Sequence, residues 1–249
     1  MPAGRSLKRH DGDLTITTAG AVVDGLDIYG FVTIKAPNVT LRNSIVRGGV
    51  ATRQTNLITS TAPGVLITDT ELAPQRPSVD IDGLKGYGFT ARRLDVHDVV
   101  DSVLIWGDDT TVEASWLHDN LHYASDPRQG GGPSHDDNIQ VQGGDNIRIR
   151  GNATDGAYNS ALQVTQDVSR TSNLSYVGNW ANGGGCTVNI AEKGQGAISG
   201  LTITGNRFGT DSRVDDCAVI MPSTTGRIAV TSANVWDVNG LPVRIRIDG

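Results

Sequence analysis

Two cysteines, three phenylalanines and 5% aromatic residues in all are little for 249 residues. So few rings fit a narrow core of stacked aliphatic side chains. Extended patterns of three-to-four spacing are missing, which argues against a helical fold. No apolar run approaches the length of a membrane span, so no membrane partner is expected. Basic residues are not in excess: 21 Lys and Arg stand against 27 Asp and Glu, for a net charge of -6. That balance gives no general footprint for nucleic acid. Zinc is not expected, because only His118 and His122 come near ligand spacing.

Glycine is plentiful, at 31 residues, and it accompanies a repeat. Asp137-Asn138-Ile139-Gln140-Val141, Ser160-Ala161-Leu162-Gln163-Val164 and Cys186-Thr187-Val188-Asn189-Ile190 are three copies of one pattern, 23 and 26 residues apart. In a strand, alternate side chains point to opposite faces. Ile139/Val141, Leu162/Val164 and Val188/Ile190 then face a core, and Gln140, Gln163 and Asn189 stack as a polar stripe. A second series places Ile147, Leu174, Leu201 and Ile228 at a period of 27, closed by Asn152, Asn179, Asn206 and Asn234. Asn tolerates left-handed backbone, so this column suits a repeated bend. Short strands at a fixed period without helices predict an all-β, single-domain right-handed parallel β-helix over residues 1–249. A monomer is expected.

The cysteines fall on the same lattice. Cys186 and Cys217 each lie two residues before equivalent strands, at Val188 and Val219. Equivalent positions on adjacent turns are about 4.8 Å apart, within the range a disulfide accepts. A pair of buried thiols is the alternative. A disulfide predicts a secreted, extracellular protein. No signal peptide is visible, and the opening Met1-Pro2-Ala3-Gly4 is compatible with a removed leader.

Along the chain, residues 1–30 are expected to cap the open end, with Arg5, Lys8 and Arg9 in a solvated tail. Early turns follow from Val39, Val65, Phe89 and Val112, partnered by Asn56-Leu57-Ile58, Val79-Asp80-Ile81 and Val103-Leu104-Ile105. The step from Val112 to Ile147 is 35 residues, so a loop is inserted at about 118–136. It holds or borders His118, His122 and His135, and an insertion beside a rigid sheet is where function concentrates. Residues 242–249 are expected to form a terminal strand or cap.

Extending the register outward puts His135 and Tyr158 on one bank of a groove and Asp167 and Lys193 on the other. Its floor is Gln140, Gln163 and Asn189. Such a groove suits an acidic, hydroxyl-rich polysaccharide, with Arg170, Arg128 and His122 as further cations and Gln166 and Asn138 as further polar contacts.

The segments His135-Asp136-Asp137-Asn138-Ile139-Gln140-Val141 and Val188-Asn189-Ile190-Ala191-Glu192-Lys193, on such a solenoid, resemble the alginate lyases of polysaccharide lyase family 31. The fold-level resemblance spans nearly the whole chain; the site-level one rests on these short stretches. It implies β-elimination on a uronic-acid polymer: a base removes the C5 proton, the carboxylate is stabilised, and an acid protonates O4. Lys193 matches the base position, with Tyr158 or His135 as acid and Asn138, Gln140, Gln163 and Asn189 holding carboxylate and hydroxyls. A lysine serves as base when burial or a nearby cation lowers its proton affinity. Other readings of the same residues stay open: Lys193 as a solvated turn residue, His135 pairing Asp136 or Asp137 to order the loop, Tyr158 as packing, the amides as a stabilising ladder. No cofactor is expected. Calcium, which some such lyases use, would draw oxygens from Asp80, Asp82, Asp136, Asp137 and Asp167, but no dedicated loop is present. Two alternatives remain: a glycoside hydrolase using Asp136 and Asp137, weakened by the absence of Gly-His-Gly and Arg-Ile-Lys motifs, and a non-catalytic carbohydrate-binding solenoid.

Overall fold

Short runs with every second residue aliphatic, ended by Gly, Asn or Asp, fold as strands of two to seven residues, three to a turn. A computed structural model describes residues 6–248 and arranges them as a parallel β-helix. The first sheet runs from Lys8–Asp11 to Val235–Trp236 in ten strands, and the second from Leu14–Ile16 to Ile245–Asp248 in ten. The third runs from Val22–Asp24 to Val230–Ser232 in nine. Every ladder between neighbouring turns is parallel, so the inward residues stack in columns such as Ile139, Leu162, Val188 and Val219. Buried aliphatics fill the space between the sheets, and the largest fully buried side chain is Tyr176. Burial of this kind, at roughly 25 cal/mol per Å² of apolar surface, is the main force holding the coils.

The corner between the third and first sheets needs one left-handed residue per turn. Gly25, Asn43, Asp69, Arg93, Ala114, Gly151, Gly178, Gly205 and Ala233 supply it, with φ between 49° and 74°. Glycine enters at three consecutive turns because a Cβ is strained there. The asparagine column therefore does something other than expected. Asn152, Asn179, Asn206 and Asn234 each follow the left-handed residue, are buried, and form an internal ladder. In it, Asn179 Oδ1 accepts from Asn152 N at 2.9 Å and from Asn152 Nδ2 at 3.1 Å, and the pattern repeats through Asn206 to Asn234.

Three details correct the sequence reading. Lys8–Asp11 is already a strand, pairing with Leu26–Tyr29, and Arg9 lies 3.9 Å over the Tyr29 ring; the first coil thus begins inside the expected cap. Residues 1–5, including Arg5, and Gly249 lie outside the described residues. Second, Val112 pairs with Ala91, not Phe89, a slip of two that a period-two pattern cannot detect. Third, the partner of Val103–Ile105 is Leu84-Lys85-Gly86, not residues 79–81. Gly83 and Gly86 interrupt the aliphatic alternation there: a Cβ on Gly86 would come 2.0 Å from Ser60 O, and one on Gly83 2.3 Å from Ser102 O.

Cys186 and Cys217 form a disulfide between adjacent turns, with Cα atoms 4.8 Å apart. The last described strand, Ile245–Asp248, pairs with Val219–Pro222. The segment 118–136 carries no strand and connects Trp116–Leu117 of the first sheet to Asp137–Val141 of the second.

Candidate functional site

The amide stripe lies in direct register: Gln140 opposite Gln163, and Gln163 opposite Asn189. The row continues backward through Leu104 to Lys85 and forward to Ile220. Inward neighbours Val141, Val164 and Ile190 hold each strand in the core, so the alternating residues must face out. The amides are not a self-contained ladder. Gln140 Oε1 accepts from Gln142 Nε2 at 2.8 Å, and Gln163 Oε1 accepts from Ser160 Oγ at 3.2 Å.

A groove of 560 Å³ stands over this floor. Its bank at the strand starts holds His135, Asn159 and Asp101; the bank at the strand ends holds Gln142, Asp167 and Lys193. His135 is exposed and makes no side-chain hydrogen bond or ion pair among the described residues. The Lys193 side chain is 52% exposed, on a left-handed turn at φ 40°, with Nζ 2.9 Å from Asp167 Oδ1. Its neighbour is a carboxylate and its surroundings are solvent, so the burial or adjacent cation expected of a lysine base is not what it meets. Asp167 is held below the usual carboxylate range, by hydrogen bonds from Lys193 and Thr165 that outweigh its partial burial.

The inserted loop is closed on itself and presents His135 and Gln129 to the groove. Tyr123 N donates to Ser134 Oγ and Ser134 N to Tyr123 O, and Asp126 caps the turn Pro127–Gln129 through Arg128 N. Asp136, fully buried, ties the loop to the coil. Its Oδ1 pairs with His122 Nδ1 at 2.7 Å, and its Oδ2 accepts from Tyr158 N at 2.6 Å. His122, not His135, therefore orders the loop through an aspartate. The His122 and Tyr158 rings stack at 3.7 Å, and Arg213 lies 3.6 Å from the Tyr158 centroid. Tyr158 is 40% exposed but does not line the 560 Å³ groove; Asn159 does.

Two proposed contacts point elsewhere. Asn138 is fully buried, its Nδ2 donating to Leu117 O, Asp155 O and Asn120 Oδ1, because the chain turns from loop to strand there and the amide satisfies the corner's carbonyls. Gln166, 1% exposed, donates to Glu192 O and Gly196 O and accepts from Thr171 N, bracing the turn after Val164. Neither can reach a chain in the groove. Arg170 lies outside the groove and donates to Ala197 O. Arg128 sits in a side pocket of 210 Å³ that shares His135 and Asp101 with the groove, with Nε 3.5 Å from Asp126.

Lys85, Asp101, Gln142 and Asn159 are among the groove residues missed by sequence. Gln142 was legible as the next outward position after Gln140. Lys85 was hidden by the glycines that shift its register. Asp101 belongs to a buried set with Asp82 and Asp137, brought together from three successive turns. Asp101 Oδ1 accepts from Asp137 N at 2.8 Å, and Asp82 Oδ1 from Asp101 N at 3.3 Å. Burial first, then the charges of Asp82 and Asp137, push the Asp101 carboxyl well above the carboxylate range. Burial and the charge of Asp136 do the same to Asp137, against the hydrogen bond from Asn159. Two of the five oxygen donors considered for calcium are already engaged. Asp136 is committed to His122 and Tyr158, Asp167 to Lys193, and no three acidic, His or Cys groups among the described residues are gathered for a metal.

No protein-family model and no curated protein matches the chain. Among solved structures, it is similar to an alginate lyase from Paenibacillus sp. strain FPU-7, with 10% identity, TM-score 0.39, and coverage of 96% of this chain and 99% of that one. It is also similar to the Dettilon tailspike protein, with 14% identity, TM-score 0.36, and coverage of 96% of this chain and 61% of the tailspike. Likeness at this level carries no information on chemistry.

Proposed function

We propose that the chain is a polysaccharide lyase that cleaves an acidic polyuronate, alginate or poly-mannuronate foremost, by β-elimination. One observation carries the reading: an open groove in which Lys193 and His135 stand on opposite banks of a floor of Gln140, Gln163 and Asn189. A polymer chain along the stacked turns meets an amide at each step, and amides donate to carboxylate oxygens while accepting from hydroxyls. In this mechanism Lys193, once it has left Asp167 and given up its proton to solvent, takes the C5 proton as the neutral amine. The amides hold the carboxylate as negative charge moves onto it, and a protonated group on the far bank gives its proton to the departing O4. His135, which lines the groove and has no side-chain partner among the described residues, is favoured as acid over Tyr158, which is held between His122 and Arg213. Lys193 must exchange Asp167 for the substrate to act. A secreted monomer acting on external polysaccharide agrees with the disulfide.

A glycosidase reading has one observation of its own. Asp101 lines the groove with its carboxyl's proton affinity raised by burial above the usual carboxylate range, the direction a general acid for glycoside cleavage requires. Asp136, by contrast, is consumed by the loop. Ultraviolet absorbance of unsaturated product on a polyuronate panel, with reducing-sugar release measured in parallel, separates the two. Reducing ends with unsaturation support the lyase; reducing ends without it support the glycosidase; neither, with saturable binding, supports a carbohydrate-binding solenoid.

A further inference from the structure

The row that begins with Lys85 has a second outward row beside it. Two residues beyond Lys85, Leu104 and Gln140 stand Tyr87, Trp106 and Gln142, on the same bank as Asp167 and Lys193. At the Lys85 end, Tyr87 and Trp106 wall a separate cleft of 850 Å³ at the corner leading to the third sheet. It is built rather than incidental. Tyr87 Oη donates to Thr61 O at 3.0 Å, and its ring lies 6.3 Å from Trp106, inclined at 52°. Gly107 makes room for Tyr87, since a Cβ there would come 2.9 Å from Tyr87 Cβ. Lys85 Nζ stands 5.4 Å over the Trp106 ring, so one cationic side chain of the groove floor reaches the aromatic wall of the neighbouring cleft. Trp106 Nε1 is buried without an acceptor.

We propose that the Tyr87–Trp106 cleft is a distal carbohydrate subsite, which stacks the apolar face of a pyranose ring of a polyuronate chain whose scissile region lies near Lys193. The inference rests on the polyuronate reading of the groove and adds a length requirement to it. From the Trp106 turn to the Lys193 turn there are three steps, about 14 Å at the strand spacing. A pyranose presents C–H groups on one face and hydroxyls at its edge, which suits an aromatic wall beside polar neighbours. A uronate carboxylate stacked on Trp106 would meet Lys85.

Calorimetry and tryptophan fluorescence on the intact chain, titrated with oligomannuronates of defined length, test this. Oligomers long enough to span both ends should quench fluorescence and bind about tenfold tighter than short ones, as one aromatic contact would give. Trp106→Ala should remove that gain and leave the affinity for short oligomers unchanged. Trp106→Phe, which keeps a ring, should retain most of it, and Lys85→Met should lose part of it without loss of fold. A length gain that persists in Trp106→Ala, or a wild type that binds no oligomannuronate, overturns the subsite. Turnover with no Trp106 effect leaves the lyase and removes the cleft. Binding that depends on Trp106 without unsaturated product does the reverse.

Discussion

Asn206 accepts from Asn179 N and Nδ2 and donates from its own amide to Tyr176 O and Asn234 Oδ1, all out of reach of water. Asn206→Ala strands the two Asn179 donors and one carbonyl. The cost should be roughly 2–4 kcal/mol, seen as a lower urea midpoint with an unchanged slope. The column was legible by its period, but its role was not, because sequence alone does not say whether a polar side chain at a bend looks inward or outward. Asn138 and Gln140 make the same point two residues apart: both read as outward, and only Gln140 is. Asp101 carries a prediction about pH. Its folded proton affinity is raised above the ordinary value of 3.8, so the folded state binds the proton more tightly than the unfolded one. Stability from this source is complete below 3.8 and is lost as pH rises above it. Thermal melts of the wild type and Asp101→Asn should therefore diverge with rising pH, the variant losing less stability towards neutrality. Equal slopes would mean that folding does not raise the proton affinity of Asp101.

At the scale of the element, the disulfide joins equivalent positions on two turns across a separation of 31 residues. Closing such a loop in the unfolded chain is worth about 3–4 kcal/mol in the entropic account. Reduction, or Cys186→Ser, should lower the denaturation midpoint accordingly; no change would show that the stacked coils at the C-terminal end hold without it. This pairing was legible because the repeat fixed both positions independently. The strand at Leu84–Gly86 was not, since its glycines serve close backbone approach and erase the alternation that marks a strand. The insertion was legible as an interruption of the period. Its internal economy was not: His122, His135 and Tyr158 were distinguishable only once Asp136 was seen to hold the first and the backbone of the third.

On the scale of the molecule, the stacked turns convert a sequence period into a ruler, with one outward residue per step of about 4.8 Å. The floor then changes character along its length, from Lys85 and Leu104 through three amides to Ile220. Among the described residues, only the middle of that row combines amides with walls bearing His135, Asp167 and Lys193, and the proposed chemistry is confined to it. The fold was legible in the sequence because every turn repeats its evidence. The site was legible in part, since each of its residues occurs once and depends on register, loop path and partner.

The measurement that tests the account most directly is formation of unsaturated product from poly-mannuronate by the wild type, Lys193→Ala and His135→Ala, with oligomer binding checked for each. The account predicts product from the wild type, and in both variants a loss of at least about a hundredfold, the low end of what general acid–base catalysis contributes. Binding should be retained. Product from the wild type that survives in Lys193→Ala would remove that residue from the chemistry. Reducing ends released by the wild type without unsaturation, and abolished in Asp101→Asn, would contradict the lyase and establish the glycosidase in its place.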